Sequence, residues 1–297
     1  MRYSWMRPWL LFCCLLCSMP LRAAEIILSS AEDNPAIRAF SAALAELRPL
    51  DRVQFKPLAQ LPSPAQIPAD TRLILLDLQA LDWRLSASGP PTLMLRISRL
   101  HAQERLGNRR PAHISLLWSD PAPARQLRLT RLLLPQAQRI GVLYDEHSQF
   151  LLDELRRAAT PLGLEIVGQA WPDSRDNRPL LALLQRSDLL FGVNDEDLFN
   201  PRTAKNLLLT SYAQQRAMIG PNSSFVRAGS LASIYSDQQD WLNSLNQLLD
   251  QPPQSWPRSA YPAYFKVLGN RQVARALAIE LADDASLAQQ VAEGENR

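Results

Sequence analysis

The stretch DLLFGVNDEDLFNPRTAKNLLLTSYAQQ, Asp188 to Gln215, decides the fold. DLLFGV is a short apolar run that predicts a buried strand, and PRTAKNLLLTSYAQQ, opening on Pro201, predicts the helix after it. Between them stands an acidic turn containing Asn194, Asp195, Glu196 and Asp197. Strand, polar turn and helix are the parts of a βαβ unit, from which parallel sheets with helices on both faces are built. The carboxyl ends of such strands face the crevice where ligands bind. Asn194 and Asp195 emerge first from the buried run and are candidate ligand contacts, whereas Glu196 and Asp197 are expected to be solvated turn residues.

The same alternation extends in both directions. Upstream, RIGVLY, SQFLLDELRRAATPLG, LEIVGQA and RPLLALLQ predict strand, helix, strand and helix, and ARQLRLTRLLL predicts a helix before them. Nearer the start, EIILSS reads as a strand and NPAIRAFSAALAEL as its helix, with Asn34 as cap. RLILLDL, PTLMLRIS and AHISLLW are further strands, KPLAQLPSPAQIPAD is a proline-rich surface loop, and RLHAQERLGNRRP is a short helix and loop. SLASIYS, QDWLNSLNQLLDQ, AYFKVLG and RQVARALAIEL complete the chain, and AQQVAEGENR is expected to fray. The prediction is α/β: two Rossmann-like lobes with parallel sheets, joined by crossing segments. The boundaries expected are 24–118 with a late segment around 236–262 for the first lobe, 119–235 with 263–285 for the second, and a tail over 286–297.

Other strand ends supply further candidates. Ser29 and Ser30 close the first strand just before a helix whose N–H groups suit an anion. Trp118 and Asp120 close AHISLLW, Tyr144 closes RIGVLY, and Ser148 follows in position to cap the next helix. Helix capping for the serines and core packing for Trp118 and Tyr144 are the competing explanations. Chemistry of other kinds lacks its motifs. The three histidines show no metal spacing, NDEDLFNPRTAK lacks the glycine and distant glutamate of a calcium loop, and no phosphate-cradling or nucleophile-elbow run occurs. No metal, no cofactor and no catalytic site are expected.

The first residues are a leader. MRYSWMRP is basic, WLLFCCLLCSM is a short apolar core and PLRAAE ends in small residues, the pattern of a secretory signal peptide over 1–23, cleaved after Ala23. All three cysteines, Cys13, Cys14 and Cys17, fall within it, so the mature chain has no thiol chemistry. Removing Arg2, Arg7 and Arg22 takes the basic count from 32 to 29, equal to the 29 acids, so nothing supplies the counterion-release term of nucleic-acid binding. No later run reaches the roughly 20 apolar residues of a membrane span. A periplasmic monomer, not an integral membrane protein, is expected.

From about Asp120 onward the chain resembles the ABC-transporter substrate-binding proteins of the family that includes tryptophan- and tyrosine-binding members. The resemblance rests on SDPAPARQLRLTRLLLPQAQRIGVLYDEHS, DLLFGVNDEDLFNPRTAKNLLLTSY, SFVRAGSLASIYSD and AYFKVLGNRQVARAL, in that order and spacing. It implies a type I periplasmic-binding fold with three crossing segments, a small-molecule ligand closed between the lobes, an ABC permease as partner, and no catalysis. It places the family's aspartate after the fourth strand of the second lobe on Asp195, its inter-lobe Asp-Pro turn on Asp120 and Pro121, and its post-strand serine on Ser148. The first lobe lacks the family's Thr-Gly signature, and Ser29 and Ser30 correspond by position alone. An amino acid or related aromatic or polar compound is the expected ligand, and replacing Asp195 by alanine is expected to abolish amine binding with little loss of stability. The alternative is an accessory or sensor module on the same scaffold, acting with an outer-membrane receptor or a membrane signalling protein.

Overall fold

The computed structural model describes residues 23–109 and 111–295. The leader and its cysteines lie outside the described residues. Strand β1 (Glu25–Ser30) is buried along nearly its whole length, as an apolar run between two helical layers must be. Helix α1 (Pro35–Leu47) follows, its first turn closed by the Asn34 side chain accepting from the Ile37 N–H at 3.0 Å, with Pro35 where no N–H is needed. Then come β2 (Arg52–Pro57), β3 (Arg72–Leu75), α2 (Leu78–Leu85), β4 (Thr92–Ile97), α3 (Arg99–Leu106) and β5 (Ile114–Trp118).

The second lobe repeats the plan with α4 (Pro123–Leu133), β6 (Arg139–Tyr144), α5 (Leu151–Ala159), β7 (Glu165–Ala170), α6 (Arg178–Arg186), β8 (Leu189–Phe191), α7 (Pro201–Ala213), β9 (Ala217–Ile219), α8 (Ser223–Ala228) and β10 (Ala232–Tyr235). Helix α9 (Gln238–Leu249) and β11 (Ser259–Ala260) return to the first lobe, while β12 (Lys266–Gly269), α10 (Arg271–Ala276) and α11 (Asp284–Glu295) end in the second. The first sheet has the order β2-β1-β3-β4-β5-β11, and the second β7-β6-β8-β9-β10-β12. All pairings are parallel except β10 with β12.

Each sheet has its own core. In the second lobe Ile140, Val142, Leu190, Met218 and Ile219 are wholly enclosed between helices. In the first, Leu28, Ile74, Leu93 and Leu95 pack against Phe40 and Leu44 of α1 and against Trp241 and Leu245 of α9. At roughly 1.5–3 kcal/mol for each large apolar side chain buried, α9 is fastened to the first lobe far more strongly than its two-residue link to β10 could hold it.

Three segments cross between lobes: 119–122 after β5, 236–237 after β10 and 261–265 after β11. The first two leave the carboxyl end of a strand. The third runs from the carboxyl end of β11 to the start of β12, which is antiparallel and so begins beside the carboxyl end of β10. The two sheets are thus joined carboxyl edge to carboxyl edge, and every strand-end turn faces the crevice between them.

Some elements differ from expectation. RVQFKP forms edge strand β2 beside β1, with Val53 and Phe55 only half-buried, so its alternation was masked by the prolines that follow. β9 and α8 fill the stretch before SLASIYS. β8 is the third strand of its lobe in chain order, so the strand before Asp195 is not the fourth. The expected tail is helix α11 up to Glu295: Leu287 and Val291, four residues apart on one face, are buried against the second lobe.

Candidate functional site

Where the crossings meet, a tight cavity of about 40 Å³ lies between the lobes. Arg99 lines it from the first lobe, Asp120, Pro121 and Tyr261 from the crossings, and Glu154, Asn194 and Pro221 from the second lobe. Gly192 closes its floor, because a Cβ there would come within 2.6 Å of the Pro221 ring; the glycine in LFGVND permits that approach.

Asp120 is 7% exposed, and its Oδ2 accepts the Arg99 backbone N–H at 2.9 Å. Burial pushes its carboxyl up to about 6, against the opposing pull of the Arg99 and Asp120 N–H groups, the Arg99 charge and the Asn194 amide. Arg99 itself forms a clasp between lobes. Its guanidinium pairs with Glu154 of α5, donates to the Tyr261 hydroxyl at 2.9 Å and lies over the Trp118 ring at 4.9 Å. The Tyr261 hydroxyl donates in turn to Glu154 Oε1 at 2.8 Å, and burial together with the Glu154 charge holds that phenol above its ordinary range. A planar fork stacked on an aromatic face and paired at its edge is a rigid arrangement that lysine would not reproduce.

Deeper in the second lobe, Asp195 is 2% exposed. Its Oδ1 accepts the N–H groups of Asp197 at 3.0 Å and Leu198 at 3.2 Å, folding the turn that begins at β8, while Oδ2 is buried without a partner. Burial raises its pKa, and the Asp145 charge adds to that rise. Carboxylate oxygens of Asp145, Asp195 and Asp197 lie within 4.8 Å of one another, a spacing able to hold a cation. Glu196 and Asp197 are exposed.

The expected site residues therefore separate. Asp120 and Asn194 meet in the cavity. Ser148 and Asp195 share one buried acidic nook, but Ser148 does not cap α5: its hydroxyl donates to Asp145 Oδ1 and accepts the Asp145 N–H, both at 3.0 Å. Trp118 is buried beneath Arg99, and Tyr144 packs half-buried against the second core. Ser30 donates to Asp77 at 2.6 Å and accepts the Glu32 N–H, while the hydroxyl of Ser29 is buried without a partner. Because Asp195 Oδ1 supports its turn, alanine there removes two backbone partners, and the expected small stability loss is corrected upward. Arg99, Glu154 and Tyr261 escaped sequence reasoning. Their only signal was a cation just beyond an apolar strand, in LMLRISR.

No family model and no curated protein matches the chain. Solved structures do. A ligand-free, open substrate-binding protein with adhesive properties from Clostridium difficile superposes with a TM-score of 0.65 at 17% identity, covering 88% of this chain and 97% of that one. The fold is the type I periplasmic-binding fold. Two other structures match at 16% identity: an ABC domain in complex with L-Trp from Streptococcus pneumonia (TM-score 0.55; 90% of this chain, 98% of that one) and a conserved domain protein from Vibrio cholerae (0.54; 91% and 98%). In a binding fold of this type the crevice between the strand ends is the part that the two lobes build jointly.

Proposed function

We propose that the protein is an exported solute-binding protein that captures a small polar or aromatic molecule between its lobes and presents it to an ABC permease. The observation that carries this reading is the joining of both sheets by their carboxyl edges around one cavity lined from both lobes and from two crossings. The L-Trp complex and the substrate-binding protein of the same fold support it. No helix among the described residues is long and apolar enough to cross a membrane, in keeping with a receptor that meets its permease from outside the bilayer. Ligand contacts on both sides of the crevice make closure a property of the complex, and the closed form is what the permease recognises. We assign the chain binding and release without turnover.

A thermal-shift screen of the mature chain against amino acids, aromatic metabolites, vitamins and short peptides tests this. A ligand of the folded state at a hundredfold excess over Kd adds roughly 2.7 kcal/mol and raises the midpoint visibly. A folded protein that responds to none of them would overturn the reading in favour of an accessory module whose partner is a protein.

A further inference from the structure

Arg96, the last residue but one of β4, adopts a conformation that L-residues seldom take, with φ of +56°. It sits at an irregularity of the ladder: β4 and β5 pair in step up to Leu95 with Leu117, and the register then shifts so that Ile97 faces Trp118. The extra residue turns Arg96 out of the alternation, and bulges of this kind re-aim side chains beside functional sites. Its guanidinium lies over the rings of Phe40 at 5.4 Å and Trp241 at 5.6 Å. It is exposed, alone among the residues of β4, and among the described residues no carboxylate pairs with it. It lines an open depression at the ends of β1, β3 and β4, shared with Ala31, Glu32, Asp77 and His101. That depression is the first lobe's side of the crevice.

A left-handed backbone at a non-glycine residue works against folding, and the exposed cation that it carries has no counter-ion. Aromatic contacts repay only part of that cost and fix the orientation of the group. A guanidinium resting near two aromatic rings with no carboxylate on it is free to offer parallel N–H donors to an oxyanion. We propose that Arg96 is the specificity-determining residue of the crevice and takes an oxyanion group, carboxylate or phosphate, of the captured solute. The proposal rests on the solute-binding reading and names the ligand class. Carboxylate is favoured over phosphate, since Glu32 and Asp77 line the same depression and repel a dianion more than a monoanion.

The test compares wild type with R96M and R96K of the mature chain. The probes are matched pairs: carboxylic acids with their primary amides, and phosphate monoesters with their parent alcohols. Affinities are read by isothermal titration where circular dichroism shows all three proteins folded. Wild type is expected to bind acids and to ignore the amides. R96M should lose about tenfold to a hundredfold in affinity, with R96K between them. The ligand-free midpoint of R96M should stay level or rise, since a group waiting for a ligand adds nothing to the free protein. Arg96-dependent binding confined to phosphate monoesters would sustain the proposal with phosphate as the oxyanion. Hits that bind acid and amide alike, or bind R96M as tightly as wild type, would overturn it and leave the solute-binding reading standing. Folded wild type that binds no probe and stays silent in the broader screen would overturn both.

Discussion

At the scale of single residues, Asp195 and Asp120 are buried carboxylates that the fold holds through backbone N–H groups. Asp195 uses Oδ1 for two backbone N–H groups and keeps Oδ2 buried without a partner, so its two oxygens separate by role. Asp195→Asn keeps the acceptor and removes the charge. Because burial penalises that charge, it should fold with a midpoint at or above that of wild type and lose at least tenfold in affinity for an amine-bearing ligand by calorimetry. Asp195→Ala should lose the binding and also about 1–2 kcal/mol of stability with the turn. Equal amine affinity in Asp195→Asn and wild type would remove Asp195 from the site. For Asp120 the sign follows from burial. Its folded pKa is raised from 3.8 to about 6, so its stabilising share is full below about pH 4 and is lost as pH rises through about 6. Full ionisation costs at most about 3 kcal/mol. Asp120→Asn should therefore gain on wild type in urea unfolding between pH 5 and pH 8, and parallel curves across that range would contradict the assignment.

At the scale of elements, legibility followed the strength of the periodic signal. Strands buried on both faces, such as β1, β4 and β6, are near-continuous apolar runs and were plain in the sequence, as were helices with caps such as Asn34 or a first-turn Pro201. Edge strand β2 was not, because its half-buried Val53 and Phe55 alternate with Gln54 and Lys56 and run into a proline-rich loop. Helix α11 was hidden for a related reason. Its apolar stripe is two residues wide, Leu287 and Val291, in an otherwise polar segment, and only the partner surface on α4 and β12 makes them a core. Leu287→Ala should then cost about 2–5 kcal/mol in denaturant unfolding, the range for deleting a buried leucine, whereas a frayed tail would lose almost nothing. The Arg125–Glu295 pair at 2.7 Å pins the far end of the same helix.

At the scale of the molecule, what the sequence hid was what distant segments build together. Asn194 and Asp195 could be singled out because they follow the apolar run DLLFGV, a local fact. The clasp joins Arg99, Glu154 and Tyr261 from a lobe-one helix, a lobe-two helix and a crossing, and no spacing along the chain announces it. Its placement gives it leverage over the lobes. Three short crossings permit hinge motion, and the clasp is a direct bond between the bodies they connect. Both charged partners are largely enclosed, with side chains 22% and 23% exposed, so the pair escapes much of the solvent screening that makes surface ion pairs weak. Glu154→Ala leaves Arg99 with only the Tyr261 hydroxyl and the Trp118 face. Losing about 1–2 kcal/mol of preference for the joined arrangement shifts the population roughly five- to thirtyfold toward the open form. Small-angle scattering of the ligand-free variant should then give a larger radius of gyration than wild type. Any ligand that needs both lobes should bind more weakly by the factor through which the closed fraction falls, since apparent affinity scales with the competent population. Scattering curves that superpose would mean that the clasp only fills space beside the hinge, and that the crossings alone set how far the lobes stand apart.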